Sequence, residues 1–295
     1  MGHLTGKTAI ITGGGRAVLS DGRCGSIGYG IATAYAKEGC NLVLTGRNMQ
    51  KLEDAKEELE RLYGIEVLAV QADVSAGADN VAVVNNVVKQ AIDKFGRIDV
   101  LINNAGMGIG GCIELATDEE IALQMNTNFM GMANMCKAVL PIFRKQRSGK
   151  IINISSIGGV MGLPYQGFYS ASKFAIEGYS EALAAEMKGM GIRVVLVEPG
   201  DFSTNFTSNR KNSDLTFKNI DYGKSFNRVL KIIEKEENGG LEPIVLAKRI
   251  EKIIEKKNPR FRYVVANMEQ RLSVLLKKIL PANMFIDILR GYYKV

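Results

Sequence analysis

Short apolar runs alternate with longer amphipathic stretches along the first two hundred residues. Residues 7–12, 41–45, 66–71, 100–103, 150–155 and 193–197 are brief runs rich in Ile, Val and Leu. Runs that short, bounded by Gly, Asn and Asp, read as buried strands. Residues 29–38, 49–63, 80–95, 128–144 and 169–187 are longer and mix apolar with polar positions, which predicts helices. The alternation predicts an α/β fold with a doubly wound, Rossmann-like parallel sheet covered on both faces. A chain of 295 residues with 46% apolar content can bury one such core as a single domain.

The alternation loosens after Pro199 and Gly200. Residues 201–240 hold two polar stretches around a helical segment, 222–237. An insertion at the carboxyl end of a parallel sheet predicts a substrate lid. Residues 241–295 read as a basic C-terminal extension, with helix-like stretches 272–280 and 284–293 broken at Pro281. The extension holds twelve Lys and Arg against five Asp and Glu, an excess equal to the net charge of +7 on the whole chain. A nearly neutral body does not read as a nucleic-acid binder. The extension would suit an anionic membrane surface. The preferred reading is that its apolar side covers the protein's own active site or a partner subunit.

Composition narrows the chemistry. The single histidine, His3, argues against histidine-based nucleophile triads and His-rich metal sites, so no metal is expected. Cys24, Cys40, Cys112 and Cys136 form no Cys-x-x-Cys pair and read as reduced, packed thiols. No apolar run reaches the ~18 residues of a membrane span, and no signal peptide is read before the first strand. A cytoplasmic protein is expected.

Tyr169 and Lys173 stand four residues apart on a predicted helix, thirteen residues after Ser156 and forty-one after Asn128. A tyrosine ionises near pH ~10, and bringing it to neutrality takes roughly 4 kcal/mol of electrostatic stabilisation. Residues at i and i+4 share a helix face, so Lys173 can stand beside Tyr169 and favour its phenolate. Ser156 would hydrogen-bond a substrate oxygen, and Asn128 would hold a water in a proton path.

A second constellation lies upstream. Thr12, Gly13, Gly14 and Gly15 follow the first strand, and Ser26, Ile27 and Gly28 open the next helix. Glycines there let backbone approach a pyrophosphate, while free helix N–H groups attract its charge. The Thr-Gly-x-x-x-Gly-x-Gly pattern is stretched: Thr12 and Gly28 are sixteen positions apart, and residues 16–24 are the excess. Within the excess, Arg16 and Arg23 are either phosphate contacts or solvated loop charges. Strand two ends in Thr45-Gly46-Arg47 with no acidic residue, so Arg47 favours the 2′-phosphate of NADP(H) over the free ribose of NAD(H). Asp73 and Val74 are expected at the adenine edge. Asn104, Ala105 and Gly106 are expected beneath the ribose.

Together these elements resemble the short-chain dehydrogenase/reductase family over about residues 4–205. Residues 10–64 are similar to bacterial 12α-hydroxysteroid dehydrogenases, and the C-terminal third looks like reductases of hydrophobic ketones with a basic tail. The resemblance implies Tyr169 as acid/base, Ser156 as the residue polarising the substrate oxygen, and Asn128 as holder of the relay water. It implies that Lys173 binds the nicotinamide ribose and lowers the tyrosine pKa, with Pro199, Gly200 and Thr204 closing over the nicotinamide. Ser155 competes with Ser156, and Asn126 with Asn128; the spacing to Tyr169 favours Ser156, and the Asn-x-x-Gly setting with Gly131 favours Asn128.

The expected activity is NADP(H)-dependent interconversion of a hydrophobic secondary alcohol and its ketone. Met107, Ile109, Val160, Met161, Leu163, Phe202 and Phe206 suggest an apolar pocket, with a steroid or bile-acid-like substrate first and a lipid-derived β-keto compound second. The alternatives are an enoyl-thioester reductase, against which the Tyr169–Lys173 spacing argues, and a non-catalytic NADP(H)-sensing protein. A homo-oligomer, dimer or tetramer, is expected.

Overall fold

In the computed structural model, which describes residues 2–75 and 80–295, every side chain of β1 (Thr8–Thr12) is buried. An unbroken apolar run requires this of a central parallel strand. Beside it lie β2 (Asn41–Gly46) and β3 (Val67–Gln71) on one side, and β4 (Val100–Asn103), β6 (Gly149–Ile154), β7 (Ile192–Pro199) and β9 (Arg262–Val265) on the other. The sheet order is β3-β2-β1-β4-β6-β7-β9, and every neighbouring pair is parallel. Two-residue strands β5 (Ile109–Gly110) and β8 (Lys211–Asn212) pair apart from it.

One face of the sheet is covered by α1 (Ile27–Lys37), α2 (Met49–Tyr63) and α10 (Pro243–Glu255); the other by α3 (Asn80–Phe95), α5 (Gly131–Gln146) and α6 (Gly167–Glu186). Each face has its own core, around Tyr35, Leu42 and Leu44 on the first and Ile10, Val139 and Phe143 on the second. The strand order reverses between β1 and β4, which opens a crevice at the carboxyl ends of the strands. The doubly wound single domain expected from the hydrophobic pattern is thus observed.

Local chemistry sets the helix starts. Ser26 caps α1 by accepting from Tyr29 N, and Asn48 caps α2 by accepting from Lys51 N. Helix α4 (Asp118–Met125) opens with a Thr117–Glu120 capping box. A π-helical turn, Asn126–Met130, joins α4 to α5, so the helix predicted to begin at 128 is interrupted there. Such turns insert one residue and redirect the side chains within them.

The C-terminal boundary needs correction. Residues 241–295 do not form one appendage: α10 packs on α1, and β9 adds a seventh strand at the edge of the sheet. The extension proper starts at Asn267, which caps α11 (Met268–Ile279); Pro281 then leads into α12 (Ala282–Tyr293). Residues 201–240 contain short helices α7 (Phe206–Asn209) and α8 (Asp214–Lys218), and the longer α9 (Gly223–Asn238).

Candidate active site

A cavity of about 990 Å³ lies over the carboxyl ends of β1, β4, β6 and β7. Residues 201–240 and the α11–α12 hairpin wall its far side.

At the base of the cavity, α6 presents Tyr169 and Lys173 on one buried face. Lys173 Nζ donates to the Ile154 carbonyl at 3.0 Å and sits 5.8 Å from the Tyr169 ring centroid. Ser156 follows β6 and its Oγ accepts from Gly158 N at 3.0 Å. A Cβ on Gly158 would lie 3.2 Å from Tyr169 Cε1 and 3.5 Å from Ser156 Oγ, so the two side chains flank this glycine closely. Ser155 Oγ is buried beside Gly159 and makes no hydrogen bond among the described residues.

Asn128 sits within the π-helical turn, almost fully buried beneath the cavity rather than on its wall. Its Oδ1 accepts from Met107 N at 2.9 Å; its Nδ2 donates to Met107 O at 3.0 Å and to Ser172 Oγ at 2.9 Å. Ser172 in turn donates to the Tyr169 carbonyl at 2.7 Å. The amide is therefore committed to protein partners, and it ties the strand β4 exit to the helix that carries Tyr169.

Burial dominates the electrostatics. It pushes Tyr169 up to about 12, with Ser156 opposing the rise, and pulls Lys173 down to about 8, with Glu177 opposing the fall. After burial, the groups that move Tyr169 are Ser156, Glu237, Arg210 and Asp201.

The other end of the cavity is lined by Gly13, Ser26, Ile27, Gly28, Asn104, Ala105 and Gly106. Gly13 adopts φ +68°, and a side chain on Gly28 would strike the Gly13 carbonyl. Thr12 Oγ1 accepts from Asn104 N and Ala105 N at 3.0 and 2.9 Å, which locks the glycine turn to the end of β4. The N-terminal residues of α1, Ile27 and Gly28, lie at this end, and Arg47 and Lys51 line the same cavity. Close-packed glycines, a helix N-terminus, two cations and the buried Lys173 ammonium fit a dinucleotide with its phosphates at α1 and its nicotinamide end toward Tyr169.

A family model for the short chain dehydrogenases matches residues 7–214. The chain belongs to the short-chain dehydrogenase family. It is 61% identical over 212 residues to a 3-ketodihydrosphingosine reductase of Bacteroides thetaiotaomicron, covering 72% of this chain and 79% of that one. It is 45% identical over 200 residues to a 12alpha-hydroxysteroid dehydrogenase of a Clostridium species, covering 68% and 74%. Among solved structures, a short-chain dehydrogenase from Streptomyces avermitilis superposes with a TM-score of 0.78 at 26% identity, covering 100% of this chain and 96% of that one. Members of the family are NAD(P)(H)-dependent oxidoreductases of CH–OH and keto groups.

In this short-chain dehydrogenase, Ser156, Tyr169, Lys173, Pro199, Gly200 and Thr204 share the cavity wall with the glycine turn and Arg47. Several expected contacts lie elsewhere. Thr12, Gly14 and Gly15 stand behind the wall; a Cβ on Gly14 would meet Leu44, and one on Gly15 would meet Lys51. Asp73 Oδ1 accepts from Ser75 N and Oγ at 2.9 and 2.6 Å, and Val74 packs against Gly131. Neither lines the cavity; residues 76–79 beyond them lie outside the described residues.

The excess loop, residues 16–24, folds into a small hairpin closed by a Val18–Cys24 bridge. Arg16 pairs with Glu58, and Arg23 with Asp21 and Glu242, so both arginines hold the loop to α2 and α10, and neither lines the cavity. Ala17 and Gly25 at its base do line the cavity.

The residues missed in the sequence belong to the far wall. Asp201, Glu236 and Glu237 lie there with Gln270 and Tyr292. Gln270 Nε2 donates to Asp201 Oδ2 at 2.5 Å, and Tyr292 donates to Glu236, so the C-terminal hairpin is latched onto residues 201–240. Burial, reinforced by Glu237, pushes Asp201 up to about 7. No periodicity marks these groups; they meet only through folding.

Proposed function

We propose that this dehydrogenase is an NADP(H)-dependent reductase of a long-chain amino ketone of the 3-ketodihydrosphingosine type. The observation that carries the reading is the 61% identity to the Bacteroides reductase. The lipid ketone thereby moves ahead of the steroid as the preferred substrate class. The cavity is consistent with that molecule, which joins a keto group, a neighbouring ammonium and an alkyl chain. Tyr169 and Ser156 stand where a carbonyl would be reduced, Asp201 supplies a carboxylate for the ammonium while Glu237 is already paired with Arg210, and Leu163, Phe285 and Leu289 supply apolar wall for the chain.

NADP(H) rather than NAD(H) is supported by Arg47 and Lys51 at the adenosine end, where no acidic residue ends β2. Bound there, the dinucleotide supplies the hydride that reduces the ketone carbon. The chain's own residues do the rest. Ser156 donates a hydrogen bond that polarises the carbonyl. Tyr169, held protonated by burial, gives its proton to the oxygen as negative charge develops on it. Lys173 binds ribose hydroxyls with the N–H groups it does not spend on Ile154, and its charge stabilises the tyrosinate left behind. Asn128 keeps α6 and the β4 exit in register and so positions both.

The test is turnover of 3-ketodihydrosphingosine by the full chain with NADPH, followed by loss of cofactor absorbance. Reduction of the amino ketone, absent in Tyr169→Phe, is the expected result. Turnover of a 12-keto bile acid in its place would favour the hydroxysteroid reading. NADPH binding with no turnover of either would favour a non-catalytic sensor.

A further inference from the structure

Helix α11 is apolar on two opposite sides. Inward, Val274 joins the buried Phe285, Ile157 and Met161. Outward, Met268, Leu272, Leu275 and Ile279 recur at spacings of four, three and four residues and fall on one stripe. Met268 is 79% exposed and Ile279 65%. Helix α12 repeats the arrangement, with Phe285 and Tyr293 buried and Met284, Ile288 and Tyr292 exposed along a second stripe. Of the eighteen large apolar side chains exposed among the described residues, nine lie in residues 268–295. Scattered surface leucines need no cause, but a continuous patch on one hairpin does.

The patch is continuous with the cavity. Ile288 and Tyr292 belong to the exposed stripe and also line the cavity, so the α12 stripe borders it. Its charge has one sign in excess: Arg271, Lys277, Lys278, Arg290 and Lys294 against Glu269 and Asp287. On α11, Arg271 and Lys278 project from one flank of the apolar stripe, where their stems can lie along it while the charges reach outward. No helix among the described residues is long and apolar enough to cross a membrane.

We propose that the α11–α12 hairpin docks flat on an anionic phospholipid bilayer, with its outer stripes in the acyl boundary, and that the cavity mouth faces the lipid. An amphipathic helix with a basic flank binds such a surface through apolar burial and attraction to anionic headgroups together. A second copy is a poorer occupant. An isologous contact would set Arg271 and Lys278 near basic residues of the copy, with Glu269 and Asp287 alone on the hairpin to offset them. The inference goes beyond the reductase reading, because docking requires no turnover.

The experiment is cosedimentation of the full chain with unilamellar vesicles of phosphatidylcholine, with or without about one-third phosphatidylglycerol. The chain should pellet with the anionic vesicles and remain soluble with the neutral ones. Leu272→Gln/Leu275→Gln/Ile279→Gln, which alters no cavity-lining residue, should abolish pelleting while keeping the melting temperature and NADPH binding of the parent. Lys278→Glu alone should weaken partitioning by more than about fivefold, the equivalent of one basic residue at the surface. Equal partitioning of parent and triple variant would overturn the proposal. So would failure of the parent to bind anionic vesicles, or an oligomer that the triple variant dissociates with no change in vesicle binding.

Discussion

The Lys173 ammonium lies 5.8 Å from the centre of the Tyr169 ring and gives its hydrogen bond to the Ile154 carbonyl instead. Both groups are buried, and burial moves them in opposite directions, the phenol up to about 12 and the amine down to about 8. Tyr169 therefore stays protonated throughout the neutral range, and Lys173 is the member of the pair that titrates near it.

It follows that kcat/KM for ketone reduction falls as pH rises through about 8, where Lys173 loses its charge in the free enzyme. Lys173→Arg, if it keeps measurable activity, should shift that fall upward, because an arginine stays charged. The stability effect runs the other way. A lysine whose folded pKa lies below its unfolded value makes the fold gain stability from about pH 8 to 10.5. Denaturant melts across that window should show the gain in the parent, and Lys173→Met should lack it. Tyr169→Phe should lower turnover by at least about 10²-fold with little change in NADPH affinity.

Arg47 and Lys51 are both exposed at the adenosine end of the cavity. Arg47→Ala should weaken NADPH binding by about tenfold, the effect of losing a charge-assisted hydrogen bond, and leave NADH nearly unchanged. Lys51→Ala should do the same to a smaller degree. Fluorescence titration with both cofactors measures the difference. Equal losses for the two would remove the 2′-phosphate from the explanation.

Asp201 lies on the far wall, and burial holds its carboxyl up at about 7. An ammonium substrate should bind more tightly as pH rises through 7 and Asp201 ionises, and should release a proton on binding below it. Asp201→Asn should raise KM for the amino ketone several-fold while sparing its N-acetylated analogue. Parallel KM values for the two substrates in parent and variant would count against a charge contact.

Asn128→Ala would leave the Met107 N–H and the buried Ser172 hydroxyl without their Asn128 partner, while the Met107 carbonyl keeps Gln124 Nε2 at 2.8 Å. An unpaired N–H costs about 1–3 kcal/mol, so the melting temperature should fall by a few degrees. Asn128→Asp keeps an acceptor for Met107 N but no donor for its carbonyl or Ser172, and should recover only part of the loss. Calorimetry of both variants distinguishes this positioning role from a contact with substrate, which would leave stability unchanged.

The half of the site that was legible in the sequence is the half built from short, rigid spacings. Tyr169 and Lys173 share a face because a helix repeats every 3.6 residues. The glycine turn falls between β1 and α1 because a Rossmann crevice opens there. The role of Asn128 was less legible, since its amide faces Met107 and Ser172 only because the helix carries a π-helical turn at that point. Arg16 and Arg23 stayed ambiguous because a charge in a loop finds its partner in space, here Glu58, Asp21 and Glu242.

By itself the amino-acid order determined the parallel α/β sheet, the strand ends at which chemistry gathers and the Tyr169–Lys173 pair. These are local consequences of period, burial and backbone freedom. Tertiary structure alone decided that Arg262–Val265 completes the sheet, that Asp201 and Glu237 meet in the cavity wall, and that the final hairpin closes over them. Those contacts join residues far apart along the chain. Apolar burial, strand pairing and the Gln270–Asp201 and Tyr292–Glu236 hydrogen bonds hold them, and these exist only after the core has formed, so no pattern in the sequence announces them.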